Sequence, residues 1–155
     1  MTDTFTKFDL QSVPSPCFVV DQVLIEKNLK KLAYVQAQSG AKVLAALKAF
    51  SMWKLAPLTM QYLSGTCASG LHELRLGFEE YGGNAGKECH VFSAAYKACE
   101  LDEILSIADH VVFNSCAQWQ RFQGQIQQAK RLRPQLEFGL RINPEHSEGA
   151  VPIYD

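Results

Sequence analysis

The sequence predicts an α/β chain organised on a parallel sheet, and it does so on three observations. Short apolar runs of strand character alternate with helical stretches from about residue 16 to residue 142. The middle strands open near positions 42, 65, 88, 109 and 136, a spacing of 21–27 residues that fits repeated βα units with right-handed crossovers. Lys42–Lys48 is apolar at nearly every position, as expected of a strand covered on both faces.

Each element has a local reason. Pro16–Asp21 reads as a first short strand, with Asp21 as the N-cap of the helix that follows. Val23, Leu24, Lys27, Leu29, Leu32 and Val35 keep helical spacing until Ser39-Gly40 stops the run. Lys42–Lys48 is the second strand, and a helix follows across Trp53–Leu63, with Pro57 tolerated only near its first turns. Ser64–Ala68 is the third strand, and Leu71, Leu74, Leu76 and Phe78 lie on the next helix. Tyr81–Gly86 is a turn cluster, Glu88–Ser93 the fourth strand, Leu101–Ala108 a short helix and Asp109–Phe113 the fifth strand. Cys116–Leu132 is a single Gln- and Arg-rich helix ended by Pro134, and Leu136–Ile142 is the sixth strand.

Two architectures fit this beat, an open doubly wound sheet and a (β/α)8 barrel. The barrel needs roughly 250 residues, against 155 here. The last residues, Glu148–Asp155, trail off without a cap or a closing helix, which reads as a break within a longer fold.

Composition narrows the partners. Fifteen Lys+Arg against sixteen Asp+Glu leave a net charge of −1, which gives no field to hold a polyanion, so nucleic acid is not expected. No apolar run approaches the roughly 18 residues of a membrane span, and the polar N-terminus lacks the basic and apolar stretches of a leader. The expectation is a cytoplasmic chain that binds no membrane. The five cysteines, Cys17, Cys67, Cys89, Cys99 and Cys116, are scattered and odd in number, as reduced thiols buried as small hydrophobes would be. Cys89 and His90 are adjacent on a strand, so they point to opposite faces and cannot share an ion, and no metal site is expected.

In either architecture the chemistry gathers at the C-terminal ends of the strands. The polar residues there are Lys48, Ser69, Glu73, Ser93, Tyr96, Asn114, Ser115, Arg141, Asn143, His146 and Ser147. Lys48 ends an apolar strand and shares a face with Leu44 and Ala46. An amine partly desolvated at the floor of a barrel mouth is a nucleophile for carbonyls. The strand pattern alone is satisfied as well by a solvated lysine. Arg141 holds the equivalent place on the sixth strand, where its planar cation suits a carboxylate, phosphate or phenolate oxygen, or an ordinary ion pair. No Walker loop, GxGxxG or GxSxG is present.

Around Lys48 the segment Leu44-Ala-Ala-Leu-Lys-Ala-Phe50 resembles the cofactor-lysine strand of pyridoxal-phosphate enzymes with the alanine-racemase-like barrel. Pro14–Asp21, Gly65–Leu74, His110–Ser115 and above all Gly139–Ser147 are similar, in this order, to the carboxynorspermidine/carboxyspermidine decarboxylases. The resemblance implies a fold-type-III enzyme: a (β/α)8 barrel, present here as a partial barrel of about six strands, without the β-rich C-terminal domain that follows it in the family. Residues 1–155 would be the N-terminal part of that barrel, in an enzyme working as a homodimer. By the same resemblance Lys48 is the catalytic residue that joins pyridoxal 5′-phosphate covalently. Arg141 lies near the cofactor, and Ser69 and Glu73 line its edge. The substrate is a small carboxylated polyamine, converted to norspermidine or spermidine. Thr66 departs from the pattern, standing where relatives often carry an acid. The family's stacking histidine, glycine-rich phosphate loop and substrate-binding acids are not in this sequence, so activity is expected only with a remainder supplied. The alternative is a non-catalytic truncated paralogue that binds and modulates a full-length relative.

Overall fold

Asp21 starts the first helix as expected: its carboxylate accepts a hydrogen bond from the Leu24 backbone N–H at 3.0 Å, and α1 runs over Gln22–Ser39. Gly40 closes it in the left-handed conformation (φ 71°), which glycine adopts at no steric cost. The computed structural model describes residues 8–146 together with 148 and 149, so Ser147 and the segment 150–155 lie outside the described residues.

Five strands form one wholly parallel sheet: β1 (Leu44–Ala46), β2 (Gly65–Ala68), β3 (Glu88–Ser93), β4 (His110–Phe113) and β5 (Glu137–Leu140). They lie side by side in chain order. That order has no reversal point, so the chain winds in one sense, as in a barrel and unlike a doubly wound sheet. The intervening helices are α2 (Ala56–Thr59), α3 (Leu71–Glu80), α4 (Ala98–Ile107), and α5 (Cys116–Arg121) with α6 (Gln123–Leu132).

Several elements depart from the expectation. Pro16–Asp21 joins no ladder, so the described sheet has five strands rather than six; among the described residues no strand pairs with this segment, and Phe18 within it is 93% exposed. The Trp53–Leu63 helix is only a 3-10 turn (Trp53–Leu55) followed by one α-turn. Pro57 falls in the first turn of α2, where its missing N–H costs nothing. The long Cys116–Leu132 helix breaks at Phe122 (φ −106°, ψ 12°), whose ring turns into the core.

Alternation along the strands sorts the two faces. Thr66, Ala68, Cys89, Val91, Val111 and Phe113 are buried beneath the helices, with Leu71, Leu74, Leu101, Ile104 and Leu105 packed among or above them. A second cluster under α1 and α2 holds Leu29, Leu47, Ala56, Met60, Leu63 and Tyr81. The opposite face carries Ala46, Cys67, His90, His110 and Glu137 in one row across all five strands. No helix covers it. The expectation that Lys42–Lys48 is covered on both faces is therefore corrected: Leu47 is buried, whereas Ala46 is exposed on the open side.

Candidate active site

The β1 ladder ends at Ala46, whose carbonyl accepts from the N–H groups of both Ala49 and Phe50 in a tight turn. Lys48 lies inside that turn, beyond the C-terminal end of the strand. It opens onto a depression of about 480 Å³ on the helix-free face, lined by Ala46, Cys67, Ser69, Phe92, Ser93 and Ala94 among others. The lining is mostly small, which leaves room for a flat ring beside the amine. Among the described residues Lys48 makes no hydrogen bond or ion pair. The side chain is exposed, so the desolvation expected at a barrel floor is not supplied by this part of the sheet.

Ser69 shares the depression with Lys48, and Glu73 stands behind it. Ser69 donates its backbone N–H to Glu73 Oε2 at 2.8 Å and its hydroxyl to Oε1 at 2.7 Å. Both carboxylate oxygens are thus spent on tying down the start of α3, a reach-back from the first helical turn akin to half of a capping box. Glu73 therefore positions Ser69. Burial, and then the Glu73 carboxylate, push the Cys67 thiol above its ordinary range, so the floor beside Lys48 is uncharged at neutral pH.

Arg141 follows β5 and is exposed. Its guanidinium reaches Asn114 Oδ1 at 3.5 Å and stands 5.9 Å from the centre of the Phe92 ring. Four strand spacings separate β1 from β5, roughly 19 Å along the sheet, so Arg141 does not touch Lys48 and is not among the residues lining its depression. The other polar residues of these loops have local duties. Ser115 caps α5 by accepting from Gln118 N–H at 3.2 Å, Ser93 donates to the Ala95 carbonyl, and buried Tyr96 donates to the Val91 and Val112 carbonyls. His146 is exposed, 3.5 Å from Glu148.

No family model matches the chain. Among curated proteins it is 36% identical over 146 residues to the carboxyaminopropylagmatine decarboxylase of Synechocystis, covering 94% of this chain and 35% of that protein. It is 36% identical over 143 residues to the carboxynorspermidine/carboxyspermidine decarboxylase of Herminiimonas arsenicoxydans, covering 92% and 36%. The crystal structure of carboxynorspermidine decarboxylase complexed with norspermidine from Campylobacter jejuni superposes with a TM-score of 0.76 at 36% identity, over 90% of this chain and 35% of that one. The chain is homologous to part of these decarboxylases. It spans about a third of the length of the relatives it matches. The resemblance read from the segments around Lys48 and Arg141 thus holds across nearly the whole sequence, and the in-order sheet agrees with it. Barrel closure is not seen in the five described strands.

His90 and His110 read in the sequence only as scattered strand histidines, because they lie 20 residues apart on different strands. The register that brings them together pairs His90 with His110 directly. Their placement at matching depths in consecutive βα units was the one signal available.

Proposed function

We propose that this chain forms the lysine-bearing wall of a pyridoxal-phosphate decarboxylase acting on a small carboxylated polyamine, carboxynorspermidine or carboxyspermidine, and that it works when the remaining wall is supplied. Residues 1–155 are read as the N-terminal part of a barrel, the whole enzyme as a homodimer. The observation that carries this reading is the uncommitted Lys48 amine beside a depression walled by small side chains, at the strand end where a barrel collects its chemistry.

The residues present fit the cofactor on one side. Lys48 Nζ, unpaired among the described residues, is available to the aldehyde once the remaining wall desolvates it, and Ala46, Ser69 and Ala94 leave space that larger side chains would fill. When bound, pyridoxal phosphate supplies an electron sink that accepts the pair released as the α-carboxylate leaves. Lys48, freed by the incoming amine, holds or returns a proton at Nζ close to the reacting carbon. Ser69, whose O–H is committed to Glu73, presents oxygen lone pairs to the depression and acts there as an acceptor. Phe92 gives an apolar wall that limits water, and Arg141 offers a permanent cation to an anionic group held between β1 and β5.

The test is to incubate the chain with pyridoxal phosphate, reduce with borohydride and map the adduct. Modification at Lys48, lost in Lys48→Ala, is expected; labelling confined to other lysines overturns the assignment. A second reading, a non-catalytic paralogue that binds a full-length relative, rests on the unpaired edges of β1 and β5 and on exposed Leu140 and Ile142 beside the latter. Co-purification with such a relative without cofactor absorbance favours it, and turnover of the carboxylated polyamine by the complemented chain excludes it.

A further inference from the structure

At the other end of the sheet from Lys48, the helix-free face carries a polar cluster that the decarboxylase reading does not use. Glu88 opens β3, His90 lies two residues on along the same face, and His110 opens β4. The two imidazole rings stack with centres 3.9 Å apart and planes 24° from parallel. His90 Nε2 is 3.1 Å from Glu88 Oε2. One ligand atom from each of Glu88, His90 and His110 can be chosen so that all three lie within 4.8 Å of one another; among the described residues this is the one such group.

We propose that Glu88, His90 and His110 bind one borderline divalent cation, Zn²⁺ above all, clamping β3 to β4 at the N-terminal rim of the sheet. Two ligands about 2.0–2.1 Å from a tetrahedral Zn²⁺ stand about 3.3 Å apart, so the His90–Glu88 separation is close to that of a bound pair. Two imidazoles and one carboxylate leave a fourth position for water. Binding needs the stacked rings to splay, since two imidazoles on one tetrahedral ion stand about 5 Å apart centre to centre; the other supporting contacts match such a centre. His110 Nδ1 lies 3.2 Å from Glu137 Oε2, which fixes the ring and leaves Nε2 for the ion, the arrangement that commonly orients a metal-bound histidine. Lys42 pairs with the other oxygen of Glu88 and balances part of the local negative charge. Asp109, also at this rim, is engaged by Arg133 and by the Cys89 N–H and is not needed as a ligand. A cavity of about 370 Å³ bordered by Lys42, Glu88, His110 and Glu137 gives the ion its way in. Cys89 points to the helix side of β3, and Cys67, beside His90 on the open face, is not among the residues whose ligand atoms come within 4.8 Å of one another, so the site uses no thiolate.

The experiment uses the untagged 155-residue chain, stripped with chelator, and titrates Zn²⁺ by calorimetry and Co²⁺ by visible absorption. One equivalent is expected at micromolar metal, with the intense visible bands of four-coordinate Co²⁺ and no thiolate charge-transfer band. His90→Gln and His110→Gln should each abolish the stoichiometric event, and Glu137→Gln should weaken it about 10–100-fold. Circular dichroism checks that the variants fold. In the unaltered chain, the imidazole resonances of His90 and His110 should saturate at one equivalent while those of His72 and His146 stay put. No binding at micromolar metal, binding that survives both histidine substitutions, or a thiolate band overturns the proposal.

Discussion

Ser69 gives both of its donors to Glu73, N–H to one carboxylate oxygen and hydroxyl to the other. The pair joins the end of β2 to the first turn of α3, where the capping residue itself, Gly70, offers no side chain. Removing the acid with Glu73→Ala should destabilise the chain by about 1 kcal/mol, the usual worth of a cap. Glu73→Gln should recover part of that, since the amide oxygen still accepts one of the two bonds. Urea unfolding measures both. Equal losses in the two variants would show that the charge matters, rather than the bonds.

The core beneath α4 and α5 is centred on Phe113, fully buried, with ring centres 5.4 Å to Tyr96, 5.5 Å to Trp119 and 6.2 Å to Phe138. The contacts with Tyr96 and Trp119 are edge-to-face, which adds to simple burial. Phe113→Ala removes a ring that the neighbours cannot collapse to replace, at about 3–5 kcal/mol. Since a domain holds only about 5–15 kcal/mol in all, the expected result is a broad, weak thermal transition in place of a cooperative one. Phe113→Leu should keep cooperativity and lose roughly 1–2 kcal/mol.

The sheet was legible because short apolar strand runs recur every 21–27 residues between helices that carry caps. Asp21, Gly40 and Ser115 each announce a helix boundary by chemistry local to a few residues. Glu88–Ser93 has the same bounds in both readings. What could not be read depends on distant neighbours. Pro16–Asp21 has strand composition, but a strand exists only with a partner, and none of the described strands pairs with it. The break at Phe122 follows from where that ring must go, into the core, which no local pattern states. Lys48 and Ser69 were placed on the correct rim by strand direction alone. That Glu73 is spent on Ser69, and that His90 meets His110, follow from side-chain reach and sheet register, and neither is a property of spacing along the chain.

Gly83 has no room for a side chain. A Cβ there would stand 2.4 Å from the Cys89 sulfur and 2.7 Å from the Phe78 Cα, and a backbone atom cannot yield as a flexible side chain does. Gly86, three residues on, has open space but a φ of +93°. The two glycines are needed for different reasons, and substitution separates them. Gly83→Ala and Gly83→Asn should both cost about 1–3 kcal/mol through overpacking. Gly86→Ala should cost roughly 1 kcal/mol and Gly86→Asn less, because asparagine tolerates positive φ better than alanine. Differential scanning calorimetry of the four variants tests the distinction.

Two buried phenols should respond oppositely to the same substitution. Tyr96 shares its hydroxyl between the carbonyls of Val91 at 3.2 Å and Val112 at 2.9 Å, pinning β3 to β4. The Tyr81 hydroxyl, buried in the cluster with Leu29, Leu47 and Met60, has no hydrogen-bond partner among the described residues. Tyr96→Phe loses the hydroxyl's hydrogen bonds and should cost about 1 kcal/mol, whereas Tyr81→Phe removes an unsatisfied group and should be neutral or stabilising by about 1 kcal/mol. Burial raises both phenols above the ordinary tyrosine value of 10.0. A raised folded value means the unfolded chain gives up its proton first. The stability tied to these groups is therefore intact below about pH 10 and is lost as pH rises beyond it. Unfolding free energies measured across that range should fall with pH in the unaltered chain, and less steeply in the Tyr81→Phe, Tyr96→Phe double variant. An unchanged slope would mean that neither hydroxyl is as secluded as its neighbours make it.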